Sequence, residues 1–127
     1  MAKVIGSVDQ RRRPVVRVEG RTDGIPAVVD TGFNGELMLT RPAAHALGVT
    51  GVLREADVEL GDGSIAHVYE GVATIRWLGE DREVGVLVSD TWLTMGDAPV
   101  GLVGTELLSP HLLLVDFAQG TVEIETQ

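Results

Sequence analysis

The chain is 127 residues long, 44% hydrophobic and 23% charged, a composition that folds and is too apolar for disorder. It has no cysteine, which excludes disulfides, thiolate metal sites and a thiol nucleophile. The net charge of −9 argues against a nucleic-acid partner, because phosphate contacts need a basic surface.

Length fits one domain over 1–127. The opening Met1-Ala2-Lys3-Val4-Ile5 meets a charge too early for a signal peptide, and no window is long enough to span a bilayer. The expected address is therefore cytoplasmic, with no membrane partner. Arg11-Arg12-Arg13-Pro14, flanked by alternating apolar residues, reads as a solvated hairpin tip, with a small anion-binding patch as the alternative. Val15-Val16-Arg17-Val18-Glu19-Gly20, then Asp23-Gly24, then Ile25-Pro26-Ala27-Val28-Val29 read as a hairpin, Pro26 lying near a strand start where a missing amide is tolerated. Asp30-Thr31-Gly32 follows at a turn, ahead of the apolar run Leu37-Met38-Leu39. Thr40-Arg41-Pro42-Ala43-Ala44-His45-Ala46-Leu47-Gly48 has a capping Thr, an early Pro and a terminal Gly, which predict a short helix.

The segment from Val58 to Tyr69 predicts a second hairpin with Gly61-Asp62-Gly63 at its tip. Val72–Trp77 is the next expected strand, followed by the polar turn Gly79-Glu80-Asp81-Arg82 and a strand over Val84–Val88. Thr105-Glu106-Leu107-Leu108 predicts a second short helix that must stop before Pro110. The end of the chain, Thr121-Val122-Glu123-Ile124-Glu125, alternates as a strand does. Short strands, Gly-rich turns and two minor helices point to an all-β fold, a small closed barrel or sandwich.

Asp-Thr-Gly alone decides little, since composition produces it in about one of every forty or fifty chains of this length. Two further features stand with it: the Gly61-Asp62-Gly63 hairpin, and Val100-Gly101-Leu102-Val103-Gly104 leading directly into a short helix. In that order the three features resemble the retroviral-type, or retropepsin-like, aspartic proteases, in particular their small single-domain prokaryotic members. The resemblance covers roughly 13–125. It implies a closed β-barrel with Asp30 as the catalytic acid, Thr31 as a hydroxyl bonding across to a partner loop, and Gly32 as the close-approach position. It also implies a flap tip at Gly61, Asp62 and Gly63 against the substrate, and Val103 and Gly104 as the support behind the active-site loop. Phe33 departs from the family pattern, which usually has a small residue after Asp-Thr-Gly, and is expected beside the substrate.

Peptide hydrolysis without a metal or covalent intermediate needs one group to deprotonate water and another to donate to the scissile carbonyl. Two carboxylates about 3 Å apart do both, because they cannot both ionise and so share a proton. Only one Asp-Thr-Gly is present, and in the nearest internal candidate, Asp90-Thr91-Trp92, a tryptophan replaces the glycine; Asp90 reads as a loop acid. The implied answer is a two-fold homodimer with one Asp30 from each chain, cleaving peptide or protein substrates and needing no cofactor or metal. The strand at 121–125 would present an edge for the inter-subunit sheet. The alternative is a protease-like peptide-binding or dimerisation module that cleaves little.

Other sites read as structural. His45, His67 and His111 lack paired metal-ligand spacing. Ser64 and His67 have no nucleophile-elbow sequence, no phosphate loop is present, and Trp77 and Trp92 read as core or interface anchors.

Overall fold

The computed structural model describes residues 2–59, 62–89 and 101–127, which form ten strands and two short helices. The chain opens as an antiparallel meander, β1 (Lys3–Val8), β2 (Pro14–Glu19) and β3 (Gly24–Val29). Alternation decides which face is buried: Val16 and Val18 of β2 and Ile25, Ala27 and Val29 of β3 point into the core. The arginine run is the β1–β2 turn, as expected. Asp9 closes it, accepting from the amides of Arg11 and Arg13 at 2.9 Å and from Arg13 Nε at 2.8 Å.

After β3 come β4 (Leu37–Thr40), α1 (Arg41–Leu47), the long hairpin β5 (Thr50–Glu59) and β6 (Ile65–Trp77), and β7 (Glu80–Ser89). The chain then runs through β8 (Gly101–Val103), α2 (Thr105–Leu108), β9 (Leu112–Asp116) and β10 (Thr121–Glu125). The signals at the ends of α1 act as read. Thr40 Oγ1 accepts from the Ala43 amide at 3.3 Å, and Gly48 ends the helix at φ 80°.

The strands pair in the order β5-β6-β7-β4-β8-β3-β2-β1-β10-β9, and a further contact between β2 and β6 joins Glu19 to Arg76. That pairing closes β6, β7, β4, β8, β3 and β2 into a six-stranded barrel. Leu37, Leu39, Ile75, Val84, Val86, Val88 and Val103 fill it, and α2 adds Leu107. Each such side chain contributes about 1.5–3 kcal/mol by leaving water. Trp77 is in this core, as anticipated; Trp92 lies outside the described residues.

Three expectations change. The run after Tyr69 is no separate strand, because β6 continues unbroken to Trp77. The turn after it is only Leu78-Gly79, with φ 51° and 83°, the two positive values of a type I′ hairpin. Glu80, Asp81 and Arg82 instead pair with Trp77, Arg76 and Ile75. Finally, β10 is a strand but not an edge: it lies between β1 and β9, so the outer strand at this end of the sheet is β9, Leu112–Asp116.

Candidate active site

Strands β3 and β4 follow each other in sequence but are not neighbours. Between them lies β8, parallel to β3 through Val28↔Leu102 and Val29↔Val103, and antiparallel to β4 through Leu37↔Val103. The connection over 30–36 must therefore arch across the end of β8, and its apex carries Asp30-Thr31-Gly32.

Backbone bonds tie the arch to what lies beneath. The Asp30 amide donates to Val103 O at 2.9 Å, Gly104 N to Glu36 O at 2.9 Å, Thr105 N to Phe33 O at 2.8 Å and Glu106 N to Gly35 O at 3.2 Å. Thr105 Oγ1 donates to Phe33 O as well, at 3.3 Å. Gly104 is required here: a Cβ on it would strike Gly35 O and come within 2.6 Å of Phe33 Cδ2. Val103 and Gly104 thus sit directly behind the loop.

The Asp30 carboxylate is half-buried, and its Oδ1 accepts from Gly32 N at 2.8 Å. That bond closes a tight Asx turn. Thr31 and Gly32 are exposed. Phe33 does not stand free beside them. Its ring lies over Gly35 and Gly104, each of which has room for it only because it lacks a side chain.

The second hairpin, β5–β6, extends beyond the barrel. Gly61 lies outside the described residues, whereas Asp62 and Gly63 occupy the turn, with Gly63 at φ 86°. Asp62 Oδ1 accepts from Ser64 N at 2.9 Å and Ser64 Oγ at 2.6 Å. These bonds, the hydroxyl's above all, hold the Asp62 carboxyl below its ordinary value. Ser64 is therefore turn chemistry, and His67 faces Asp57 instead, Nδ1 lying 3.0 Å from Asp57 Oδ1. Asp90 lies outside the described residues.

No known family pattern matches the sequence, and no curated protein matches it. Solved structures do. A retropepsin-like aspartic protease from Rickettsia conorii superposes with a TM-score of 0.65 at 17% identity, over 96% of this chain and 89% of its own. The protease of EIAV, solved in complex with the inhibitor HBY-793, superposes at 0.59 with 22% identity, over 79% of this chain and 88% of its own. The fold is retropepsin-like.

Within the retropepsin-like fold, sequence reasoning missed the braces that hold the arch from the side. Glu36 reaches Arg82 Nη2 at 3.0 Å and the Gly85 amide at 2.9 Å, fixing the far end of the loop to β7. Arg41, at the start of α1, lies 5.2 Å from the Tyr69 ring centroid and so ties β6 to the helix. No local signal marks either, since the partners are distant in sequence. A hollow of about 690 Å³ also escaped notice. It is lined by Glu36, Val72 and Glu106 among others, and neither Asp30 nor Thr31 borders it.

Proposed function

We propose that the chain is a homodimeric aspartic endopeptidase whose dyad is Asp30 of one protomer and Asp30 of its partner. The observation that carries this reading is the pinned arch: a single Asp-Thr-Gly held by Val103, Gly104 and Thr105 at the seam of β3, β8 and β4 of a retropepsin-like barrel. Fixed backbone support is what a dyad needs, because the two carboxylates must stay close enough to share a proton.

In the proposed cycle the ionised Asp30 takes a proton from water as the oxygen attacks the scissile carbonyl carbon. The protonated Asp30 of the other copy gives its proton to the carbonyl oxygen, producing a neutral gem-diol. Collapse of that diol breaks the C–N bond, and a proton passes to the leaving nitrogen. The titration belongs to the pair and not to either acid. Thr31, Gly32 and Phe33 line the floor, the Gly61 to Gly63 turn covers the substrate, and the peptide lies between them as an added strand.

Two features support the second copy. One carboxylate cannot be base and acid at once, and the unpaired edge of β9 exposes Leu112 and Leu114, with Phe117 just beyond. The test is cleavage of a diverse peptide mixture by the wild type and Asp30→Asn, read by mass spectrometry from acid to neutral pH. Cuts that vanish in Asp30→Asn while its fold persists are expected. Equal cutting by both proteins would overturn the proposal.

A further inference from the structure

Three of the chain's ten basic residues, Arg11, Arg12 and Arg13, stand together in the β1–β2 turn of a protein whose net charge is −9. The Asp9 amide donates to Arg13 O at 2.9 Å and the Arg12 amide to Asp9 O at 3.0 Å, which closes the turn. The register places it: Val15 of β2 faces Val28 of β3, and two residues beyond them come Arg13 and Asp30. The arginine turn and the active-site arch therefore leave the sheet at one end.

Arg12 sits at φ 62°, the left-handed position of a hairpin bulge, where glycine or asparagine is the ordinary occupant. A long side chain there is strained, and strain kept at an exposed cation points to a use for the cation. Arg12 is exposed and has no ion-pair partner among the described residues. Two acids flank the arginines, and both are engaged locally. Asp9 accepts from the Arg11 and Arg13 amides at 2.9 Å and from Arg13 Nε at 2.8 Å. Asp116 lies at the start of the β9–β10 turn, which Val8 N joins through Gly120 O at 3.0 Å, and it accepts from the Gln119 amide at 3.0 Å. Three guanidinium groups on an acidic protein are too few for a phosphate backbone, whereas their planar forks match carboxylates.

We propose that the β1–β2 turn is a docking site for an acidic segment of the peptide substrate, outside the residues held between floor and flap, with Arg12 as the cation that selects it. Its role toward substrates rests on the protease reading, whereas the docking itself does not.

The test titrates acetyl-Glu-Asp-Glu-amide and its uncharged counterpart acetyl-Gln-Asn-Gln-amide into the ¹⁵N-labelled full chain carrying Asp30→Asn, which keeps cleavage out of the readout. Saturable amide shifts centred on Arg11, Arg12 and Arg13 are expected with the acidic peptide alone, weakening as salt is added. Glycine suits the backbone at this position. Arg12→Gly should therefore keep the urea midpoint at or above its starting value while weakening the acidic peptide about threefold, the effect of one exposed ion pair. Unchanged affinity in Arg12→Gly, equal shifts with the uncharged peptide, shifts at Arg54 and Arg76 as large as those in the turn, or no shift in the millimolar range would each overturn the docking. A lowered urea midpoint in Arg12→Gly would show that Arg12 serves the fold and would count against it too. In the wild type, adding the acidic triplet to a peptide that is cut should lower KM about threefold at unchanged kcat, and Arg12→Gly should erase that gain. An unmoved KM would overturn the role toward substrates. A wild type that cuts nothing would count against the protease reading, and the peptide shifts would still decide the docking.

Discussion

Gly104 shows how a single missing side chain can hold a loop in place. The arch over 30–36 passes so close that a methyl group on Gly104 would meet Gly35 O and lie 2.6 Å from Phe33 Cδ2. Both are parts of the loop's own packing, so relief means lifting the arch. Gly104→Ala is expected to cost about 2–4 kcal/mol in urea unfolding and to disturb the Asp30 amide bond to Val103. Gly63 is the control: a Cβ there meets nothing within 4 Å, and only its φ of 86° resists substitution. Gly63→Ala should cost about 1 kcal/mol. A similar loss for both would mean that the close approach at Gly104 is not what fixes the loop. At this scale the sequence was informative where the pattern was contiguous, as in Val103-Gly104 running into Thr105. It was silent about Phe33, whose packing depends on two glycines, one near in the chain and one far.

Among the elements, the hairpin of β5 and β6 carries the clearest titration. His67 on β6 lies 3.0 Å from Asp57 and 3.7 Å from Glu55, both on the neighbouring strand. The hydrogen bond to Asp57 chiefly, with the charge of Glu55 and Asp57, raises the His67 pKa above its ordinary 6.5 against a smaller opposing effect of burial. Because the folded value is raised, the cross-strand clamp is fully present below 6.5 and is lost as pH rises through the folded value. NMR titration of the His67 ring should therefore find a midpoint above 6.5, brought down by Asp57→Asn, and amide protection near Asp57 should fall across the same interval. A His67 midpoint unmoved by Asp57→Asn would refute the clamp. Element boundaries were legible where chemistry is local: Thr40 and Gly48 bound α1 because a cap needs only its own turn. The β6–β7 turn was not, because Leu78 at φ 51° carries no turn signal, while the polar Asp81 and Arg82 that resemble a loop are paired to Arg76 and Glu36.

For the whole molecule, the all-β class could be read from strand spacing and the closed barrel only from the family resemblance, but the pairing could be read from neither. Which strand ends at an edge depends on contacts between distant segments. β10 alternates like an edge strand with one wet face, yet β1 covers it on one side and β9 on the other, helped by Lys3 at 3.0 Å from Glu125. The edge at this end of the sheet, with its exposed Leu114, therefore belongs to β9. If the proposed dimer uses that edge, Leu114→Asp should leave the circular dichroism spectrum unchanged and weaken self-association by roughly a hundredfold, since a two-fold interface meets the change twice. Sedimentation then shows monomers at concentrations where the wild type is paired, and cleavage falls with the dimer fraction. A dimer of unchanged affinity would move the seam elsewhere.

The claim on which the mechanism rests is that each active site takes one Asp30 from each of two chains. Mixing wild type with Asp30→Asn at constant total protein, with time for subunits to exchange, tests it directly. A shared dyad predicts activity proportional to the square of the wild-type fraction, so an equal mixture keeps about a quarter of the starting rate. Activity that falls in simple proportion to the wild-type fraction would show that each chain works alone, and would contradict the account.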